Sequence, residues 1–191
     1  MMAATAIDHL CRTTRSDDVG VAYLFCSYKS KTDQSAASLF AALLKQLVRN
    51  RPEIATPVTQ MHELHLKEGS KPSFSDILRA LQSAFSAHAT TFIVVDALDE
   101  CSDRDGARGQ LIDKLHELQA GEDVRLLFTS RSIPEITRKF CSDSTLEVRA
   151  NEEDVKSFVA GQIPRLPVCI QRDEQLILTV QNKIVEAVSG M

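Results

Sequence analysis

No block of lysine and arginine interrupts this sequence. Its 22 basic and 26 acidic residues are spread along 191 positions, giving a net charge of −4. Neutralising a phosphate backbone needs clustered basic side chains, so nucleic acid is not expected as a partner. Long apolar runs are missing as well. None approaches the roughly 18 residues of a membrane span, and the start lacks the basic-then-apolar pattern of a secretory leader. Paired cysteines are missing too: Cys11, Cys26, Cys101, Cys141 and Cys169 are odd in number, widely spaced and form no CxxC. That usage reads as reduced thiols in a cytoplasmic protein. There are no internal repeats and no low-complexity segments. What remains is an ordinary globular composition, 43% hydrophobic and 25% charged, on a chain long enough for one sizeable core.

The apolar pattern supplies the elements. Ala3, Ala6, Ile7, Leu10 and Cys11 make one helical face over residues 1–12, with nothing before it. A stripe already running at residue 1 suggests that the chain was cut there. "VAYLFCSY" (21–28) reads as a strand. Leu39, Leu43 and Leu47 beside Phe40, Leu44 and Val48 form two adjacent rows of a helix ending before Pro52. Residues 53–67 are a weaker helix. Ser73 and Asp76 resemble a capping box opening a helix carried by Phe74, Ile77, Leu78, Leu81 and Phe85. "TFIVVDA" (91–97) is a buried strand, followed by a helix near 107–120 and another buried strand, "VRLLFTS" (124–130). Ser132, Pro134 and Glu135 predict a cap, a first-turn proline and a capping acid for a short helix. "TLEVRA" (145–150) alternates like a less buried strand. Asn151 then caps a helix with an acidic first turn, and a last helix runs from about 174 to 189. Alternating strands and helices, with strands apolar through their length, predict an α/β fold: a parallel sheet with helices on both faces.

One stretch asks for more than a fold. "FIVVDALDEC" (92–101) runs from four apolar residues straight into Asp96, Asp99 and Glu100. Unpaired carboxylates are costly to bury, so these acids sit at a rim or neutralise something. In parallel sheets ligands bind at the carboxyl ends of strands. There Asp96 suits a Mg²⁺ ion, directly or through water, and Asp99 or Glu100 suits the orientation of an attacking water. The plainer reading is a solvated loop that caps the next helix. "LLFTSR" delivers Thr129, Ser130 and Arg131 to the same rim, a hydroxyl pair and guanidinium suited to a terminal phosphate. A surface arginine after a strand is the plainer alternative.

"FIVVDALDEC", then "RLLFTSR", then "LEVRANEEDVKSFV" resemble the NACHT-type domains of STAND nucleotide-triphosphatases. The likeness is greatest to the nephrocystin-like N-terminal domains of fungal receptor-like proteins, which often carry ankyrin or WD repeats. "GVAYLFCSYKSKTDQSAASLFAALLKQL" resembles their second strand and following helix. The resemblance implies a three-layer P-loop NTPase-like sheet and a partial nucleotide domain over 1–165. A following helical segment starts over 166–191. It implies Asp96 as the Mg²⁺-side acid of a Walker B motif, Asp99 and Glu100 as hydrolytic acids, and Arg131 as a sensor. ATP and Mg²⁺ are the implied cofactors, and the implied action is a nucleotide-dependent switch that oligomerises. The family's first strand and its GxxxxGK[ST] loop would precede residue 1. None of the seven glycines begins such a loop. The chain therefore reads as a fragment truncated at both ends, expected to bind and hydrolyse ATP poorly.

Other features are read plainly. His62 and His65 in "HELH" lie one turn apart, but without a third ligand nearby they read as a solvated helix face. Cys101 reads as a small packing residue, with a reactive thiol as the alternative. Two rival functions stand beside the switch. One is a scaffold module working through self-association or docking with an intramolecular repeat domain. The other is a Mg²⁺ phosphohydrolase using Asp96, Asp99 and Glu100 alone.

Overall fold

The computed structural model describes residues 2–14, 18–30, 34–49, 51–103, 106–149 and 151–189. In chain order the elements are α1 (Met2–Thr13), β1 (Val19–Phe25), α2 (Ala36–Val48), α3 (Pro52–Glu68) and α4 (Phe74–Ser86). They continue with β2 (Thr90–Asp96), α5 (Ala107–Gln119), β3 (Val124–Phe128), α6 (Pro134–Thr137), α7 (Glu152–Gln162), α8 (Val168–Gln171) and α9 (Glu174–Ser189).

The strands form a parallel sheet in the order β1-β2-β3. Val19 pairs with Thr90 and Phe25 with Asp96, while Val124 pairs with Thr91 and Phe128 with Val95. Each strand reaches the next through at least one helix, as a parallel crossover requires. The pleat then divides the side chains. Ala22, Leu24, Ile93, Val95 and Val124 join one large core with α2, α4 and α5. Val94 points the other way, where Ala3 and Ile7 of α1 cover it. Helices thus lie on both faces, and the expected α/β class is the one observed.

Local chemistry explains why these segments are helices. In α2, Leu39, Phe40, Leu43, Leu44 and Leu47 are all buried, and Ser35 caps the helix by accepting from the Ser38 amide at 3.2 Å. That cap satisfies one of the four amides a helix start leaves unpaired. Gly20 of β1 lets α2 approach closely: a Cβ there would lie 2.9 Å from Leu47 Cδ2. At α4 the expected capping box is present, with Ser73 Oγ accepting from the Asp76 amide and Asp76 Oδ2 accepting from the Ser73 amide.

Two local expectations are corrected. α6 begins at Pro134, so Ile133 is its N-cap and Ser132 is not. The alternating segment at 145–149 forms no strand, and Leu146 and Val148 are exposed. Alternation offers a face, but a strand also needs a neighbouring edge to satisfy its backbone, and no described residue pairs with this one. Residue 150 lies outside the described residues. Packing divides the chain into two compact units, Met1–Cys141 and Ser142–Met191. In the second, α7 packs against α9, and Asn151 caps α7 by accepting from the Asp154 amide at 2.6 Å.

Candidate functional site

Because the strands are parallel, their carboxyl ends share one rim, and the register sets what meets there. Val95 is level with Phe128, so Asp96 and Thr129, one residue further on, face each other. Thr129 Oγ1 donates to Asp96 Oδ1 at 2.6 Å and accepts from the Ala97 amide at 3.0 Å. Backbone bonds tighten the same joint: the Thr129 amide donates to Val95 O at 2.9 Å, and the Leu98 amide to Thr129 O at 2.8 Å. Asp96 therefore has one oxygen fixed by a hydroxyl. Among the described residues its other oxygen has no hydrogen-bond partner.

The chain then turns sharply. Ala97 has φ 54° and ψ 51°, the only left-handed non-glycine residue among those described. Such a conformation costs about 1–2 kcal/mol, so the surroundings must hold it. They do. The Thr129 hydroxyl takes its amide, Leu98 is fully buried directly after it, and its carbonyl accepts from the Glu100 amide at 2.8 Å. The resulting 3-10 turn at Leu98–Glu100 aims the next two acids in different directions.

Asp99 turns toward β3. Its Oδ1 accepts from the Arg131 amide at 3.2 Å, and its Oδ2 lies 3.3 Å from Arg131 Nε. The carboxylate side chain is only 9% exposed whereas the guanidinium is 80% exposed, so solvent screens much of the pair. Glu100 turns toward β1, where its Oε2 accepts from the Tyr28 amide at 3.3 Å. Asp96, Asp99, Glu100, Thr129 and Arg131 thus occupy one rim, but each carboxylate has its own protein partner. Among the described residues, no three His, Cys, Asp or Glu side chains are gathered as a metal site.

Three participants gave no signal in the sequence. Gln34, buried before α2, donates to Ser27 O and accepts from the Ser102 amide at 3.2 Å, tying the β1 exit to the acidic loop. Tyr28 takes part through its backbone, and no pattern marks a backbone amide 72 residues from its acid. Cys26, the first residue past β1, and Cys101, the first residue past the acidic turn, are both buried in the large core, and each thiol's titration is set first by a hydrogen bond to the other. Donating that bond, together with burial, pushes the Cys26 thiol far above the ordinary range. Accepting it, with help from Arg108, moves the Cys101 thiol down. His65 has partners of its own. His65 Nδ1 lies 2.6 Å from Ser70 Oγ, and its Nε2 lies 3.8 Å from Asp76 Oδ2, a link between the end of α3 and the start of α4.

Residues 1–131 match the family described as nephrocystin 3, N-terminal. No curated protein matches the chain. Among solved structures, domain III of the Thermotoga maritima replication initiation protein DnaA is similar, at 13% identity and a TM-score of 0.30. That similarity covers 88% of this chain and 72% of the DnaA domain. A likeness at that score adds nothing to the fold read from the strands themselves.

Proposed function

The chain belongs to the nephrocystin 3, N-terminal family, and from that premise we propose that it is part of a nucleotide-dependent switch of the NACHT type. The observation that carries this reading is the Asp96–Thr129 pair at the sheet's carboxyl rim, with Asp99, Glu100 and Arg131 on the turns beside it. Mg²⁺ and a nucleoside triphosphate are the group this reading implies. The residues present fit the ion: a hard cation takes oxygen ligands, one carboxylate is enough when phosphates supply the rest, and Asp96 offers an oxygen. When bound, Mg²⁺ neutralises charge on the phosphate oxygens.

The chain's own residues divide the work. Asp96 holds the cation side, and Thr129 fixes the rotamer of Asp96. Glu100 orients water from the β1 side, with Asp99 as the second acid. Arg131 senses the terminal phosphate, and its 80% exposure leaves the guanidinium accessible to one. A bound phosphate would compete with Asp99 for Arg131, which links nucleotide state to the turn at 97–100.

A second reading is a scaffold module that keeps the fold without turnover, acting by self-association or on a repeat domain. It is favoured by one sequence fact: no GxxxxGK[ST] occurs in these 191 residues, so the Gly-rich phosphate cradle and its lysine are not supplied by them. Titration calorimetry with Mg²⁺-ATP separates the two. The 191-residue chain should bind at millimolar affinity or not at all, because three or four charge-assisted phosphate bonds are worth about 5–10 kcal/mol. A longer chain supplying such a loop should bind at micromolar affinity. In it, Asp96→Ala should weaken Mg²⁺-nucleotide binding, and Glu100→Gln should keep binding but slow hydrolysis. A longer chain with an intact loop and no nucleotide binding would leave the scaffold reading standing.

A further inference from the structure

Two of the five cysteines are buried: Cys26 is 6% exposed and Cys101 is 3% exposed, whereas Cys11, Cys141 and Cys169 are exposed. Both belong to the large core, and each thiol lies near enough to shift the other's titration. The backbone on either side is also tied. The Cys26 amide donates to Asp96 O at 3.0 Å, and the Tyr28 amide donates to Glu100 Oε2. Gln34 bridges Ser27 O and the Ser102 amide. The neighbours of Cys26 are thus held against the neighbours of Cys101, so the two segments that carry the cysteines stay together while the fold persists.

We propose that Cys26 and Cys101 are a reversible disulfide site that staples the exit of β1 to the acidic turn. Intracellular disulfides are commonly transient and redox-sensing. Such a pair needs held proximity together with a thiolate for the oxidant to meet, which the lowered Cys101 thiol offers more readily than Cys26. The oxidant is a peroxide. In the first step one sulfur takes an oxygen from hydrogen peroxide, the O–O bond breaks and water leaves, giving a sulfenic acid. The second sulfur then attacks the first, the S–O bond breaks, and the departing hydroxide takes up the remaining thiol proton as water. Two thiols and one peroxide become one disulfide and two waters. The bond fixes Glu100 and Tyr28 in their present relation, whatever the nucleotide chemistry of the rim.

The test uses the folded 191-residue chain. The exposed cysteines are first blocked with iodoacetamide under native conditions, and excess hydrogen peroxide is added until thiol loss stops. Mass spectrometry should then show, beneath any oxygen added to methionine, a monomer lighter by about 2 Da, one two-electron oxidation that dithiothreitol reverses. A tryptic digest should contain one cross-linked pair joining the peptide with Cys26 to the peptide with Cys101. C26S and C101S should each abolish that loss. Recovery of Cys26 and Cys101 as free thiols, as separate sulfinic acids, or in a link between two chains would overturn the proposal.

Discussion

The two faces of the sheet are built from neighbouring residues of the same strands and differ sharply in how they are covered. On one, Ala22, Leu24, Ile93 and Val95 disappear under α2, α4 and α5, with Phe40, Leu43, Leu81 and Phe85 almost wholly buried above them. On the other, Val94 is covered by Ala3 and Ile7 of α1, but Tyr23, Phe25 and Leu127 keep substantial exposure. Apolar character alone therefore does not say where stability resides. The burial gained by a side chain is set by which helix the crossover lays over it, and the β1-to-β2 and β2-to-β3 connections lay theirs on one side.

The largest expected effect lies on the covered face. Phe40 is fully buried and packs edge-on against Phe74, with ring centres 5.6 Å apart. Phe40→Ala should cost about 3–5 kcal/mol, lost transfer energy plus the cavity left behind. Urea unfolding checks this, and a cost under 1 kcal/mol would contradict the ranking of the two faces. Next comes Ile7→Ala under α1. Among the described residues the apolar cluster around Ile7 is small, with Ala3, Val94 and the partly buried Leu10, so the site can relax and the cost should fall to about 2 kcal/mol. A loss equal to that of Phe40→Ala would mean that α1 is as integral as the opposite layer.

The third test concerns how the covered layer is anchored at the start of α4. Ser73→Ala removes the capping box and should cost about 1 kcal/mol in urea unfolding at neutral pH. It also predicts a pH signature. The Ser73 hydroxyl, and then the Ser73 amide, hold Asp76 below the ordinary carboxylate range. A carboxyl with a lowered folded-state pKa stabilises above its unfolded value, near 4, and loses that contribution as pH falls through the folded value. Stability of the parent chain should therefore drop more steeply in acid than that of Ser73→Ala. Parallel acid limbs in the two chains would assign the shift to something else.

Much of the covered face was legible in the sequence, because it follows from periodicity. The rows Leu39–Leu43–Leu47 and Phe40–Leu44, and the pattern from Phe74 to Phe85, read as helices and are helices. The apolar runs at 91–97 and 124–130 read as strands and begin and end within two residues of β2 and β3. The alternation at 145–149 misled, since period two states a preference for a face and cannot supply the neighbouring strand. The rim was legible in part. Residues just past apolar strands can be placed at a carboxyl edge, so Asp96, Asp99, Glu100, Thr129 and Arg131 could be named. Their partners could not be. Thr129 meets Asp96 across 33 positions, Glu100 meets Tyr28 across 72, and Gln34 joins two loops at once, all through register and turn geometry. The left-handed Ala97 was equally silent, because alanine carries no mark of that conformation.

The smallest effect belongs to the open face, and it is the sharpest test of the contrast. Leu126 and Leu127 are adjacent on β3, yet the pleat turns Leu126 toward the large core and leaves Leu127 on the α1 side at 43% exposure. Leu127 lies beside Phe92 and Arg125, and the Arg125 guanidinium stacks over the Phe92 ring with 5.5 Å to the centroid. That stack already shields part of the strand, so Leu127 adds little further burial. Leu127→Ser should therefore change stability by no more than about 0.5–1 kcal/mol, the range of a surface position. The same change at Leu126 removes a side chain packed against the buried core and should cost about 2 kcal/mol or more. Unfolding the two variants side by side in urea isolates orientation, since residue type, strand and substitution are the same. Equal losses would show that the α1 side of β3 is covered as thoroughly as the opposite side in solution. In that case a further segment or a second molecule packs on Leu127, and sedimentation of the parent chain would tell the second molecule from the first.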